Sequence, residues 1–168
     1  MDDDGFDARL AAAGTRLATL GAALRRGGPY PLAERFDDAP EAAWGPREVL
    51  AHLEEMLAYW LGEAERIVDM ETGPEPFGRI GSDVARLAII ERDRTLPIRE
   101  LEARIALGIE RWRHRWAELD PAVRERRGLH PTRGEMTIAQ IAERLVASHL
   151  EDHANQLETL LAGETAKG

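Results

Sequence analysis

Two histidines four residues apart, His149 and His153 in the stretch SHLEDH, are the pair in this chain best placed to do chemistry. On a helix their Cβ atoms lie about 5–6 Å apart on one face. Two imidazoles at that separation can converge on one cation, each about 2.0–2.1 Å from it. Alone, such a pair is more often two satisfied core histidines, since a buried imidazole needs only one or two hydrogen-bond partners. A third imidazole on another helix changes the balance. His52 follows Val49 by three residues and precedes Met56 by four, at the edge of an apolar helical face. Three imidazoles around one ion leave a position open for water or substrate, the pattern of catalytic rather than structural sites.

Several carboxylates stand near these histidines. Glu48 and Glu55 lie one turn either side of His52, and Asp152 lies three residues from His149. Any of them can serve as an acceptor for an imidazole N–H or as a general base, and each is more often a solvated side chain. His114, between Arg113 and Arg115, reads as solvated, and His130 as surface or turn packing, with a place near a pocket mouth the lesser alternative. Trp60, Trp112 and Trp116 read as core fillers, Trp44 as a staple before a helix, and the RERR run as solvated surface. No glutamate is followed three residues later by histidine, which removes a di-iron carboxylate centre. Ser148 points about 100° away from His149 on a helix, so a serine nucleophile is unsupported.

The elements that must position the histidines are helices. Phe6, Leu10, Ala13, Leu17, Leu20 and Leu24 alternate steps of four and three and predict a first helix from Phe6 to Arg26, ended by Gly27-Gly28-Pro29. A polar connector runs to Pro40. A second helix starts with Gly45 as cap and Pro46 at the first position, and continues to about Met70. Residues 82–93 suggest a short helix within a longer crossing connection. A third long helix runs from Leu96 or Pro97 to Pro121. The fourth begins at Thr137, where TIAQ is a capping-box pattern, and ends near Leu161 before Gly163. Its stripe is Ile138, Ala142, Leu145, His149, His153, Gln156 and Leu160, so both histidines face inward. Nothing reads as strand, and RERRGLHPTRGEM reads as loop. The expectation is an all-α four-helix bundle with a longer second-to-third connection, one domain over 1–168 with frayed ends at 1–4 and 164–168.

Composition narrows the chemistry. With 22 Lys+Arg against 31 Asp+Glu the chain carries −9, the wrong sign for nucleic acid or an anionic membrane surface. It has no cysteine, so any metal must be held by histidine and carboxylate. The acidic start MDDDGFDARL is unlike a secretory signal, and no apolar run reaches the roughly 18 residues of a membrane span. A cytoplasmic protein is expected.

The segments WGPREVLAHLEEML and GEMTIAQIAERLVASHLEDHANQLETL, with the approach GLHPTRGEMT, resemble the DinB/YfiT-like superfamily of metal-dependent enzymes. The resemblance covers about residues 6–162. It implies a DinB-like bundle in which a histidine early in the second helix joins an HxxxH pair in the fourth around one divalent metal. The matching positions are His52, His149 and His153. The Gly45-Pro46 start departs from the serine-like cap common in the family, a change of helix capping that leaves the histidines in place. Zinc or nickel is expected first, with iron or manganese also compatible with imidazole. The resemblance further implies a homodimer acting on a small molecule, and a reaction of the S-transferase or isomerase type with a low-molecular-weight thiol cosubstrate. A metal-dependent hydrolase and a non-catalytic, stress-associated metal-binding bundle are the alternatives. Metal retention is expected to weaken as pH falls through about 6.5, the ordinary histidine range.

Overall fold

Breakers and caps set the helix ends in the computed structural model, which describes residues 3–33, 41–71 and 73–165. Parts of the expected frayed ends and of the connector before Pro40 lie outside the described residues. Helix α1 (Asp3–Arg26) is followed, after the connector, by a 3-10 turn over Glu41–Ala43. Helix α2 (Pro46–Asp69) starts at Gly45 in extended backbone, with Pro46 where no amide hydrogen is needed. The crossing connection holds α3 (Val84–Asp93), capped by the Asp83 carboxylate on the Arg86 amide. Helix α4 (Ile98–Glu118) and the single turn α5 (Pro121–Arg124) follow.

The predicted stripes are the core. Phe6, Leu10, Leu24, Val49, Leu53, Met56, Ile67, Leu101 and Trp112 are buried in one cluster. Helix α1 packs on α4 and on the last helix, and α2 packs on the same two, which places α1 and α2 on one diagonal of a four-helix bundle. Phe6 fits against Trp116 with ring centroids 4.7 Å apart. The Trp112 indole N–H donates to the Leu57 carbonyl at 2.9 Å, so that large side chain buries no unmet donor. Bidentate pairs tie the outer faces: Arg9 with Glu151, Arg113 with Asp7 and Arg115 with Glu65. Partly exposed, each contributes roughly 1 kcal/mol or less and fixes helix register more than stability. No helix is long and apolar enough to cross a membrane among the described residues.

Three expectations need correction. Residues 127–137 are not loop but a β-hairpin, β1 (Arg127–His130) and β2 (Gly134–Thr137), with Arg127 opposite Thr137 and His130 opposite Gly134. Four-residue strands carry too little alternation to be read, and their support comes from elsewhere in the chain. Phe77 donates its amide to the Leu129 carbonyl at 3.1 Å, and Leu129 donates to the Glu75 carbonyl at 2.9 Å, so the 75–77 segment flanks β1. Gly128 permits that packing: a Cβ there would lie 2.6 Å from the Phe77 ring.

The second correction concerns the fourth helix. Thr137 caps it with the full capping box, Thr137 and Gln140 each bonding the other's backbone amide. Helix α6 (Ile138–Ile141) then passes through a wider π turn, Ala142–Ala147, before α7 (Ser148–Thr165). Such π turns are rare and frequently mark functional sites. Here the turn ends immediately before the histidine pair. The arginine run is also only partly surface: Arg124 is buried, donates to the Trp116 carbonyl at 2.8 Å and lies over the Trp116 ring.

Candidate metal centre

α2 and α7 bring the three predicted histidines together. His149 Nε2 lies 2.8 Å from His52 Nε2 and 3.1 Å from His153 Nε2. The sequence reading missed a fourth member, Glu41, whose carboxylate oxygens lie 3.8 Å from His52 Nε2 and 3.6 Å from His153 Nε2. One ligand atom from each of the four fits within 4.8 Å of all the others. Glu41 has no helical spacing to any histidine and is separated from α1 by the connector, so no sequence pattern points to it.

Local contacts aim these groups. His153 Nδ1 is 2.8 Å from Gln156 Oε1, while the Gln156 amide nitrogen donates to the Glu41 carbonyl at 2.8 Å. With the amide so oriented, His153 carries its proton on Nδ1 and presents a lone pair at Nε2. The glutamine therefore orients both a histidine and the turn that carries Glu41. Trp44, buried just before the α2 cap, stands edge-on to the His52 ring at 5.4 Å. Buried Arg86 pairs with the Glu41 carboxylate, donates to the Gly81 carbonyl and reaches to 3.4 Å of His52 Nδ1. An imidazole that ligates through Nε2 carries its proton on Nδ1 and cannot accept from Arg86; Glu41 is the acceptor Arg86 keeps in either state.

Burial pushes His52 well below its ordinary range, with the neighbouring His149 and Arg86 charges adding to the effect. Burial, then His153, lowers His149 to about 4. Burial alone would raise Glu41, but the His153 hydrogen bond and the Arg86 guanidinium outweigh it and hold the carboxyl below its ordinary value. At neutral pH His52 and His149 are therefore neutral and Glu41 is ionised.

This donor set fits a divalent cation. His149 Nε2 faces two other imidazole nitrogens at hydrogen-bond distance, yet it has either one proton or one lone pair to offer. A proton can satisfy one contact only; a cation at the common point satisfies every lone pair. Nitrogens about 2.0–2.1 Å from one tetrahedral ion lie about 3.3 Å apart, so the observed spacings need little adjustment.

The other candidates fall elsewhere. The Glu48 carboxylate accepts from the Ala33 amide at 2.9 Å and pairs with Arg94 at 3.0 Å, stabilising the start of α2 rather than reaching the cluster. Asp152 is exposed on α7 and is not among the groups gathered at the cluster. Glu55 is buried and paired with Arg79. His114 is exposed beside Glu118, and Ser148 accepts from Arg9, both away from the cluster. Two residues read as surface or core instead border the cavity in front of the histidines. Trp60 is half-buried on its wall, and His130 is buried against Trp60 and Phe77. The cavity measures about 440 Å³ and opens onto Glu41, His52 and His149.

Structural comparison gives one decisive result. The chain superposes on YfiT from Bacillus subtilis, "a probable metal-dependent hydrolase with an unusual four-helix bundle topology", with a TM-score of 0.75 over 97% of this chain and 87% of that one, at 17% identity. The chain has the YfiT fold. No family model and no curated protein matches it. Within this YfiT-like bundle the three histidines and Glu41 are a cluster that could hold a divalent metal.

Proposed function

We propose that the chain is a mononuclear metal-dependent enzyme acting on a small molecule, with His52, His149 and His153 as ligands. The carrying observation is that the cluster is open on one side, where Glu41, His52 and His149 line a 440 Å³ cavity, whereas a structural metal would be enclosed by protein. A divalent cation there would act as a Lewis acid, polarising a substrate and making a bound nucleophile acidic enough to react near pH 7. Glu41 is in reach as a further ligand or as an acceptor that orients the nucleophile. Gln156 holds His153 in its ligating tautomer, and Trp60 offers an apolar wall to the substrate.

With water as nucleophile the reaction is hydrolysis, the activity named as probable for YfiT. A low-molecular-weight thiol is the second reading, and Glu41 favours it. A carboxylate held below its ordinary value is a poor proton acceptor, and a thiol near 8.5 needs less help to ionise than water. The proposed setting is a cytoplasmic homodimer without nucleic-acid or membrane partners, in keeping with the charge of −9.

The test is a reaction panel with zinc- or nickel-loaded protein, offering activated esters and amides without thiol, and electrophiles with added small thiols. Metal-dependent turnover lost in His149→Ala supports the enzyme, and the productive half of the panel names the nucleophile. Stoichiometric metal with no turnover in either half would favour a non-catalytic metal-binding bundle.

A further inference from the structure

The cavity in front of the histidines carries a charge opposite to that of the whole molecule. Four arginines line it, Arg79, Arg86, Arg133 and Arg144, against the single acid Glu41, in a chain of net charge −9. Two of the four are already matched inside the protein. Arg79 pairs with Glu55 and lies over the Tyr59 ring, and Arg86 pairs with Glu41. The other two are not: among the described residues, neither Arg133 nor Arg144 makes an ion pair or a side-chain hydrogen bond. Both are exposed, Arg133 in the hairpin turn between β1 and β2 and Arg144 on the π turn. They therefore reach the same cavity from two separate elements. The Arg133 charge is felt at the cluster, where it adds to the lowering of His149.

From this placement we infer that the ligand of the cavity bears a carboxylate or phosphate group, held by Arg133 and Arg144 while its reactive part faces His52 and His149. Guanidinium forks suit those planar or tetrahedral oxyanions, which they bind through paired, charge-assisted hydrogen bonds. A local cationic wall in an acidic protein also favours anionic small molecules during encounter. The hairpin turn and the π turn thus gain a joint purpose, as the supports of an anion clamp. The inference rests on the proposed site, but the clamp is built from residues that are not metal ligands and acts without the metal.

That separation makes the test clean. Succinate, its neutral diamide and inorganic phosphate are titrated by calorimetry into metal-loaded and chelator-stripped full-length protein, wild type and the Arg133→Gln/Arg144→Gln double variant. Wild type is expected to bind succinate or phosphate about tenfold tighter than the diamide in both metal states, with the preference falling as salt rises. The better of the two anions identifies the acid group. The double variant is expected to lose the preference while keeping the wild-type metal content and circular dichroism. Equal binding of diamide and anions, no anion binding at millimolar concentration, or a preference undiminished in the double variant would each overturn the clamp. A charge preference in protein that takes up no metal would overturn the metalloenzyme and leave the clamp standing.

Discussion

His149 is the pivot of the cluster, because its Nε2 is the one nitrogen within hydrogen-bond distance of both other imidazoles. Its burial sets the pH behaviour. Protons compete with a cation only where the imidazole would otherwise protonate. With His149 lowered to about 4 and His52 also well below its usual range, zinc retention in equilibrium dialysis should hold as pH falls through about 6.5 and fail only toward 4. This moves the expectation drawn from ordinary histidines. A midpoint near 6.5 would show that the imidazoles are solvated. The sign for folding agrees. Between 6.5 and 4 the unfolded chain binds more protons at these positions than the folded one, so metal-free protein loses stability as pH falls across that window and keeps it above. Gln156 offers a second test at this scale. Gln156→Leu removes the acceptor for His153 Nδ1 and the donor to the Glu41 carbonyl. Loss of such a partner should weaken metal affinity about 10- to 100-fold with the bundle intact; unchanged affinity in a competitive chelator titration would contradict the orienting role.

Among the elements, the strap 76–80 and the hairpin shape the cavity. Gly78 sits at φ 78°, in the left-handed region, and a Cβ there would lie 2.6 Å from the His130 ring. Gly78→Ala therefore meets both a backbone penalty of about 1 kcal/mol and a clash that moves His130 or the strap carrying Arg79. The expected outcome is a melting temperature lower by several degrees and weakened anion binding with metal content unchanged. A variant that melts and binds like wild type would mean that the strap adjusts freely. The helices around these parts were legible because their stripes recur over five or six turns and their ends carry Gly-Pro breakers or the Thr137 capping box. The hairpin was not, since four-residue strands are stabilised by Phe77 and Glu75 from a distant segment. The π turn was equally hidden, because the stripe Ile138, Ala142, Leu145, His149 and His153 keeps ordinary helical steps of four and three straight through it.

At the scale of the molecule, the bundle gathers one face in front of the histidines and uses four parts of the chain to do it. α2 and α7 contribute the imidazoles, the 3-10 turn contributes Glu41, and the crossing connection contributes Arg86. The three histidines could be found from sequence because each lies on a periodic helical face. Glu41, Arg79 and Arg86 could not, because their approach depends on connections whose paths no periodicity fixes. The fold shared with YfiT across 97% of the chain at 17% identity shows how widely helix faces can be substituted while the bundle is kept. The most direct measurement is the metal content of untagged protein purified without chelators, for wild type beside His52→Ala and His149→Ala. About one divalent ion per wild-type chain, and little in either variant, is the predicted result. Negligible metal in wild type with no uptake of added zinc or nickel, or equal content in all three proteins, would contradict it.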